Sequence, residues 1–225
     1  MFLLYFAIII LIPLWAQMKV KGAYRKYSQI PASSGMTGAQ VARTILDNNG
    51  LYHVRVEETP GVLSDHYDPR DKTVRLSTSN YHGASVAGAA VAAHEVGHAI
   101  QDARDYAFLR FRHALVPVAN IGSNLSWILI LIGIFAHISG LLLLGIVCMA
   151  AAVLFQIVTL PVEFNASSRA MDEIVAAGVI RNDEERETRK VLNAAALTYV
   201  AAALVAVMEL VRLLLVYTGM AGSDD

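Results

Sequence analysis

The chain has 225 residues, of which 56% are hydrophobic and only 16% are charged, a balance typical of an integral membrane protein. A formal net charge of −1 argues against a nucleic-acid partner, because binding to a phosphate backbone requires a basic surface. The single cysteine, Cys148, excludes an intrachain disulfide and a thiolate zinc site within one chain. We expect one integrated domain over residues 1–225.

Four apolar segments are long enough to cross a bilayer, whose hydrocarbon core requires about 20 helical residues. They cover residues 2–16, 114–136, 141–162 and 194–217. The first segment begins without Lys or Arg and is followed by several, which is the reverse of a secretory signal. We therefore interpret it as a retained anchor; a cleaved or peripheral segment is the alternative.

The distribution of basic residues predicts the orientation of these spans. Residues 18–113 contain 12 Lys and Arg and residues 163–193 contain 5, whereas the turn at residues 137–140 contains none. Because basic loops remain in the cytoplasm, we expect both large segments to be cytoplasmic and both termini to lie outside. The predicted fold is thus a predominantly α integral membrane protein with four transmembrane helices and a large, partly helical region on the cytoplasmic side.

The region after the first span has its own secondary structure. A helix is predicted to begin at Met36–Gln40 and to end at Asn48–Gly50. Residues 52–56 and 73–77 alternate as strands do, and residues 67–72 form a turn between them. This pattern predicts a small β-ribbon, which either covers the following helix or binds a substrate backbone as an added strand.

The stretch His94-Glu95-Val96-Gly97-His98 is the most informative part of the chain. Residues four apart share a helix face, so His94 and His98 can bind one metal ion. Glu95 leans toward the open coordination position, where it can take a proton from water as a general base. Many Ala and Gly residues between Gly83 and Ala93 predict a closely packed helix. The alternative is a solvated cluster that binds no metal.

A second alternative makes the motif helix itself a membrane span, as in intramembrane site-2-type proteases. A crossing at residues 83–101 would move the five basic residues of 163–193 to the outside. The Asp-Gly signature that supplies the third ligand in that class is also missing. We therefore favour a motif helix outside the bilayer, in a cytoplasmic, zincin-like helical catalytic region.

Glu163 is the preferred third ligand, because it stands at the cytoplasmic end of the third span and thus at the level of the motif helix. Pro161 can end or kink that span. A helix restarting there places the small residues Ala166, Ser167 and Ala170 on the face of Glu163, which permits tight packing against Gly97 and Ala93. The alternative ligands are His82, His113, Asp172 and Glu173.

Four further polar residues could contact the substrate or donate a hydrogen bond to the oxyanion that forms during hydrolysis. They are His66, Tyr67, His82 and Arg169, and the sequence does not choose among them. An ion pair or surface charge is the default for Arg169. Glu209 and Arg212, three apart in the last span, are expected to pair with each other.

Several segments together resemble the YugP-like neutral zinc metallopeptidases of bacterial membranes, and more distantly the HtpX and CAAX prenyl protease type. They are residues 36–39, 65–70, 74–77, 94–101 and 162–167. The resemblance implies a gluzincin of a bacterial-type inner (plasma) membrane, with one zinc ion on His94, His98 and Glu163 and with Glu95 as the base. Ser167 departs from the HtpX-type pattern, which has an Asp four residues after the glutamate ligand.

The predicted function is a zinc-dependent endopeptidase that hydrolyses membrane or membrane-proximal proteins, with the bilayer as its surroundings. A membrane adaptor with a non-catalytic zinc site is one alternative, although a structural site has no use for Glu95. A zinc hydrolase of a non-peptide substrate at the bilayer surface is another. The oligomeric state stays open.

Overall fold

A computed structural model describes residues 2–221 of the chain. Within this range it has seven α-helices and three β-strands. The helices are α1 (Phe2–Tyr27), α2 (Gly38–Asn48), α3 (Thr78–His82), α4 (Val86–Ala103), α5 (Ala107–Phe135), α6 (Ser139–Ala176) and α7 (Glu185–Ala221). The strands are β1 (Arg55–Thr59), β2 (His66–Asp68) and β3 (Thr73–Ser77). The predicted predominance of helix is confirmed.

Among the described residues, α1, α5, α6 and α7 are long and apolar enough to cross a membrane, as predicted, and α4 is not in this group. All four helices extend beyond the predicted spans. The largest difference is in α6, which continues through Pro161 to Ala176, so the prediction that one helix ends and another begins near Pro161 is wrong. Proline removes only one backbone donor, and a long apolar helix tolerates that loss when its other hydrogen bonds remain.

The chain divides into two compact units. The first unit contains residues up to 13, residues 107–161 and residues from 199 onward. Small residues permit close helix packing there, since a side chain at Gly133 would overlap the backbone of Leu142. The second unit contains residues 14–106 and 162–198 and includes the sheet, α2, α3 and α4.

Helix α2 follows the sequence signals closely. Thr37 caps its N-terminus, accepting from the Gln40 backbone N–H while the Gln40 side chain accepts from the Thr37 N–H. This reciprocal capping satisfies two donors that the first turn would otherwise leave unpaired. Val41, Ile45 and Leu46 are fully buried in the core of the second unit, so one face of α2 is apolar and packed.

The β-structure differs from the predicted ribbon. β1 pairs in parallel with β3, and β2 pairs with the other side of β3 in an antiparallel direction, so the order is β1-β3-β2. The predicted first strand is shifted, because β1 begins at Arg55 rather than at Tyr52. The segment predicted as a turn starts with strand residues, and residues 69–72 make the turn itself. Parallel neighbours cannot be joined by a hairpin, and the connection between β1 and β3 carries β2 instead.

Helices α4 and α6 approach each other closely in the second unit. A Cβ atom placed on Gly97 would lie 2.6 Å from the backbone oxygen of Ala166. Ala93, Ala166 and Ala170 are all buried. The predicted packing of small residues on α6 against the motif helix is therefore confirmed.

This contact predicts the effect of Gly97→Ala. The added methyl group must displace helix backbone, which is less adaptable than a side chain, so we expect the variant to lose about 1–3 kcal/mol of stability. Thermal unfolding of the purified protein, followed by circular dichroism, measures the loss. Gly22→Ala in α1 is the matched control, because nothing lies within 4 Å of its added Cβ. Equal melting temperatures for the two variants would contradict the tight α4–α6 contact.

Candidate metal centre

Helix α4 carries both histidines of the motif on one face. Its first turn is capped by Ser85, whose side chain accepts from the backbone N–H of Gly88 at 3.1 Å. The rings of His94 and His98 stand nearly perpendicular, with centroids 4.9 Å apart. Their side chains are only 13% and 12% exposed, so each ring is largely enclosed while keeping some access to solvent.

Glu163 on α6 completes a group of three possible ligands. Its Oε2 atom lies 3.3 Å from Nε2 of His94 and 3.6 Å from Nε2 of His98. The three candidate ligand atoms lie within 4.8 Å of one another, and the Glu163 side chain is 3% exposed. Residues that are far apart in sequence thus meet at one point inside the second unit.

The donor set fits a zinc ion. Zinc bonds of about 2.0–2.1 Å in tetrahedral geometry place neighbouring ligand atoms about 3.3 Å apart, close to the separations seen here. Two imidazole nitrogens and one carboxylate are also the ligand types found in catalytic zinc sites that keep one position open. His94, His98 and Glu163 therefore form the candidate metal centre.

Each histidine has a hydrogen-bond partner on its other ring nitrogen. Nδ1 of His98 lies 3.0 Å from Oε1 of Gln101. Nδ1 of His94 lies 3.2 Å from Oγ of Ser167. Such partners fix the orientation of the ring and leave Nε2 available to a metal. Ser167, whose role the sequence left unassigned, thus contacts one of the candidate ligands.

Glu95 is buried next to the candidate ligands but is not one of the three. Burial raises the pKa of its carboxyl group to about 7. Repulsion by Glu163 and Asp65 adds to the increase, whereas the His94 ring and the Tyr67 backbone N–H oppose it. A carboxyl group with a pKa in this range can both take and release a proton near neutral pH.

Strand β2 lies beside this carboxyl group and is anchored to α4. The Tyr67 hydroxyl donates to Oδ2 of Asp102 at 2.7 Å, and Lys72 forms an ion pair with the same oxygen at 2.5 Å. These contacts hold β2 against the motif helix, while the strand order leaves its outer edge without a neighbouring strand among the described residues.

The remaining predicted contact residues have other partners. His66 Nδ1 lies 2.8 Å from the Ser64 backbone oxygen, and His82 pairs with Glu58 at 3.1 Å. The Tyr67 hydroxyl is engaged by Asp102, and Nε of Arg169 donates to Oδ1 of Asn165 at 2.8 Å. These partners show no direct bond from His66, His82 or Arg169 to any of the three candidate ligands.

The alternative third ligands are also outside the group of donor atoms found among the described residues. Asp172 is exposed, and Glu173 accepts from Nδ2 of Asn49 at 2.7 Å. His82 is paired with Glu58, and His113 lies in α5. Of the candidates considered from the sequence, Glu163 is the one that meets His94 and His98.

Two residues that contact the histidines were missed by sequence reasoning. Gln101 is fully buried and follows His98 by three positions, a spacing that brings side chains together on a helix. That spacing was a usable signal. For Ser167, the small-residue face of α6 predicted packing against the motif helix but not the hydrogen bond to His94.

Comparison with known proteins agrees with this geometry. Residues 2–218 match the family described as "Putative neutral zinc metallopeptidase". The chain is also 53% identical over 211 residues to "Putative membrane protease YugP" of Bacillus subtilis (strain 168), covering 94% of this chain and 93% of that protein. No solved structure matches the chain significantly. Since the family match spans nearly all of the described residues, the chain belongs to the neutral zinc metallopeptidase family.

Proposed function

We propose that the protein is a membrane-bound, zinc-dependent endopeptidase that cleaves membrane or membrane-proximal proteins. The observation that carries this proposal is the meeting of His94, His98 and Glu163 beside the buried carboxyl group of Glu95. Within the described residues there is one such group, which supports one zinc ion per chain. When bound there, zinc would act as a Lewis acid that acidifies water and polarises a peptide carbonyl group.

Glu95 acts as the general base. Its carboxylate takes a proton from water as the water oxygen forms a bond to the scissile carbonyl carbon. The protonated carboxyl group then gives this proton to the leaving nitrogen as the C–N bond breaks. The raised pKa suits both steps, because a group titrating near the working pH is an effective acid and base in turn.

Strand β2 binds the substrate backbone. Its outer edge is available for an additional strand, and its Tyr67 backbone lies close to Glu95. A peptide added at this edge would gain main-chain hydrogen bonds and would run past the candidate metal centre. His66 and Tyr67 contribute to substrate binding through this strand. His82 and Arg169 have structural roles instead, through their contacts with Glu58 and Asn165.

The catalytic region faces the cytoplasm of a bacterial-type inner membrane. The excess of Lys and Arg in residues 18–113 and 163–193 supports this orientation under the positive-inside rule. The four long apolar helices and the membrane protease from Bacillus subtilis support the bilayer location.

Glu95→Gln tests the catalytic base. The variant should keep its zinc, since Glu95 is not one of the three ligands, and should lose about 10²- to 10⁴-fold in rate with its general base. Cleavage of a quenched fluorescent peptide library and zinc content by mass spectrometry measure both properties. Glu57→Gln, which removes only a surface ion pair with Arg55 and Arg75, is the control. Parent-level activity in Glu95→Gln would eliminate the proposed base.

Glu163→Gln tests the third ligand. The change keeps the shape of the side chain and removes the anionic oxygen, so we expect most of the zinc to be lost on dialysis against a weak chelator. Glu173→Gln on the same helix is the control and should retain zinc, because that side chain bonds to Asn49 instead. The opposite result is that Glu163→Gln retains zinc while Asp172→Ala or Glu173→Gln loses it. That result would place the third ligand about two turns further along α6.

Cysteine labelling tests the orientation in the membrane. In a Cys148→Ser background, Asn182→Cys and Gly222→Cys should respond differently to a membrane-impermeant maleimide applied to intact cells. We expect reaction at position 222 and protection at position 182, because the basic segment 163–193 stays inside. The opposite labelling pattern would invert the proposed topology.

A further inference from the structure

Gln101 lies at the centre of a hydrogen-bond network between α4 and α6. Its side chain is fully buried. Oε1 lies 3.0 Å from Nδ1 of His98, while Nε2 donates to the Val162 backbone oxygen at 2.8 Å and to Oδ1 of Asn165 at 3.0 Å. Both hydrogens of the amide nitrogen and the amide oxygen therefore have partners, as a buried polar group requires.

The chemistry of these partners fixes the direction of every hydrogen bond. A backbone carbonyl can only accept, so the Gln101 nitrogen must face Val162 and the Gln101 oxygen must face His98. An amide oxygen can only accept, so Nδ1 of His98 must carry the proton. In the neutral ring Nε2 of His98 then presents its lone pair, and this atom is the one that lies 3.6 Å from Oε2 of Glu163.

Arg169 sets the far end of the network. A guanidinium group can only donate, so its bond to Asn165 fixes Oδ1 as the atom that also receives Gln101. The order of donors and acceptors thus runs without ambiguity from Arg169 to His98. The partner of His94 has no such direction, since the Ser167 hydroxyl can donate or accept.

We propose that Gln101 is a positioning residue, which holds His98 in the Nδ1-protonated tautomer and ties the motif helix to the turn of α6 that carries Glu163. This role rests on the proposed function only in that the group held by His98 is a zinc ion. Partners of this kind change metal affinity by about 10- to 100-fold when they are removed. Here one amide serves two candidate ligands, His98 directly and Glu163 through the neighbouring Val162 backbone.

Zinc affinity of Gln101→Met is the main test, measured on the full-length protein in detergent by competition with a fluorescent chelator. Met keeps the length of the side chain but cannot accept from His98, so we expect zinc binding about 10- to 100-fold weaker than in the parent. Gln40→Met is the matched control, because it removes the buttressing hydrogen bond of the α2 cap far along the chain from the ligands. It should bind zinc as the parent does.

Gln101→Glu should restore part of the affinity. A buried, protonated carboxyl group can accept from His98 through its carbonyl oxygen and donate to the Val162 oxygen, which reproduces two of the three bonds. An effect on packing alone would leave Gln101→Glu no better than Gln101→Met.

The tautomer of His98 gives a second readout, which simple loss of stability would not change. In metal-free protein labelled with ¹⁵N histidine, the His98 signals are identified by their absence from His98→Ala. We expect a protonated Nδ1 in the parent and a shift toward protonated Nε2 in Gln101→Met. If Gln101→Met had the same zinc affinity and the same His98 tautomer as Gln40→Met, the inference would be overturned.

Asn165→Leu provides the same test if Gln101→Met does not fold. It removes one acceptor of the Gln101 amide and leaves the amide in place, so we expect zinc binding a few-fold weaker, and unchanged binding would overturn the proposal. Failure of the parent to hydrolyse any peptide would overturn the proposed function alone, because these assays read zinc affinity. Failure of the parent to bind zinc would overturn both.

Discussion

The site depends on the backbone contact between α4 and α6 at Gly97. Because a Cβ atom there would lie 2.6 Å from the Ala166 oxygen, only glycine lets the two helices approach so closely. The candidate ligands lie around this contact, with His94 and His98 on either side of Gly97 along α4 and with Glu163 one turn before Ala166 along α6. The distance between the two helices that carry the ligands is therefore set by main chain rather than by flexible side chains, which is the rigid support that a metal site needs.

The two carboxyl groups at the site have different surroundings, which suit the two different roles proposed for them. Oε2 of Glu163 faces both imidazole rings, an arrangement that suits an anionic ligand shared with them. Glu95 is buried among fewer compensating groups, and its pKa rises to about 7. Burying charge without compensation is costly, so the cation that the three ligands can hold would also stabilise the packed site. Metal binding at this site would thereby be linked to the folding of the second unit.

Local patterns in the sequence predicted much of this architecture. The i, i+4 spacing of His94 and His98, the start of α2 at Met36–Gln40 and the long apolar segments each act within one helix, where residues close in sequence are also close in space. The small residues near Glu163 extended this reasoning to a contact between helices. Such local patterns could not predict the parallel pairing of β1 with β3, because its register depends on residues that a long connection separates in sequence. Gln101 was overlooked as a partner of His98, although its spacing follows the same helical rule.

The first unit shows how a predicted local pair acquires a tertiary role. Nε of Arg212 donates to Oε2 of Glu209 at 3.1 Å, which confirms the pairing expected from their spacing on α7. The Tyr5 hydroxyl of α1 donates to the same carboxylate, and the Arg212 guanidinium lies 5.6 Å from the centre of the Tyr5 ring. Charged groups in a membrane-spanning helix are costly unless they are paired within the protein. Tyr5 of α1 thus makes two further interactions with this ion pair. The charged residues of α7 therefore also hold the first part of α1, up to residue 13, in the first unit.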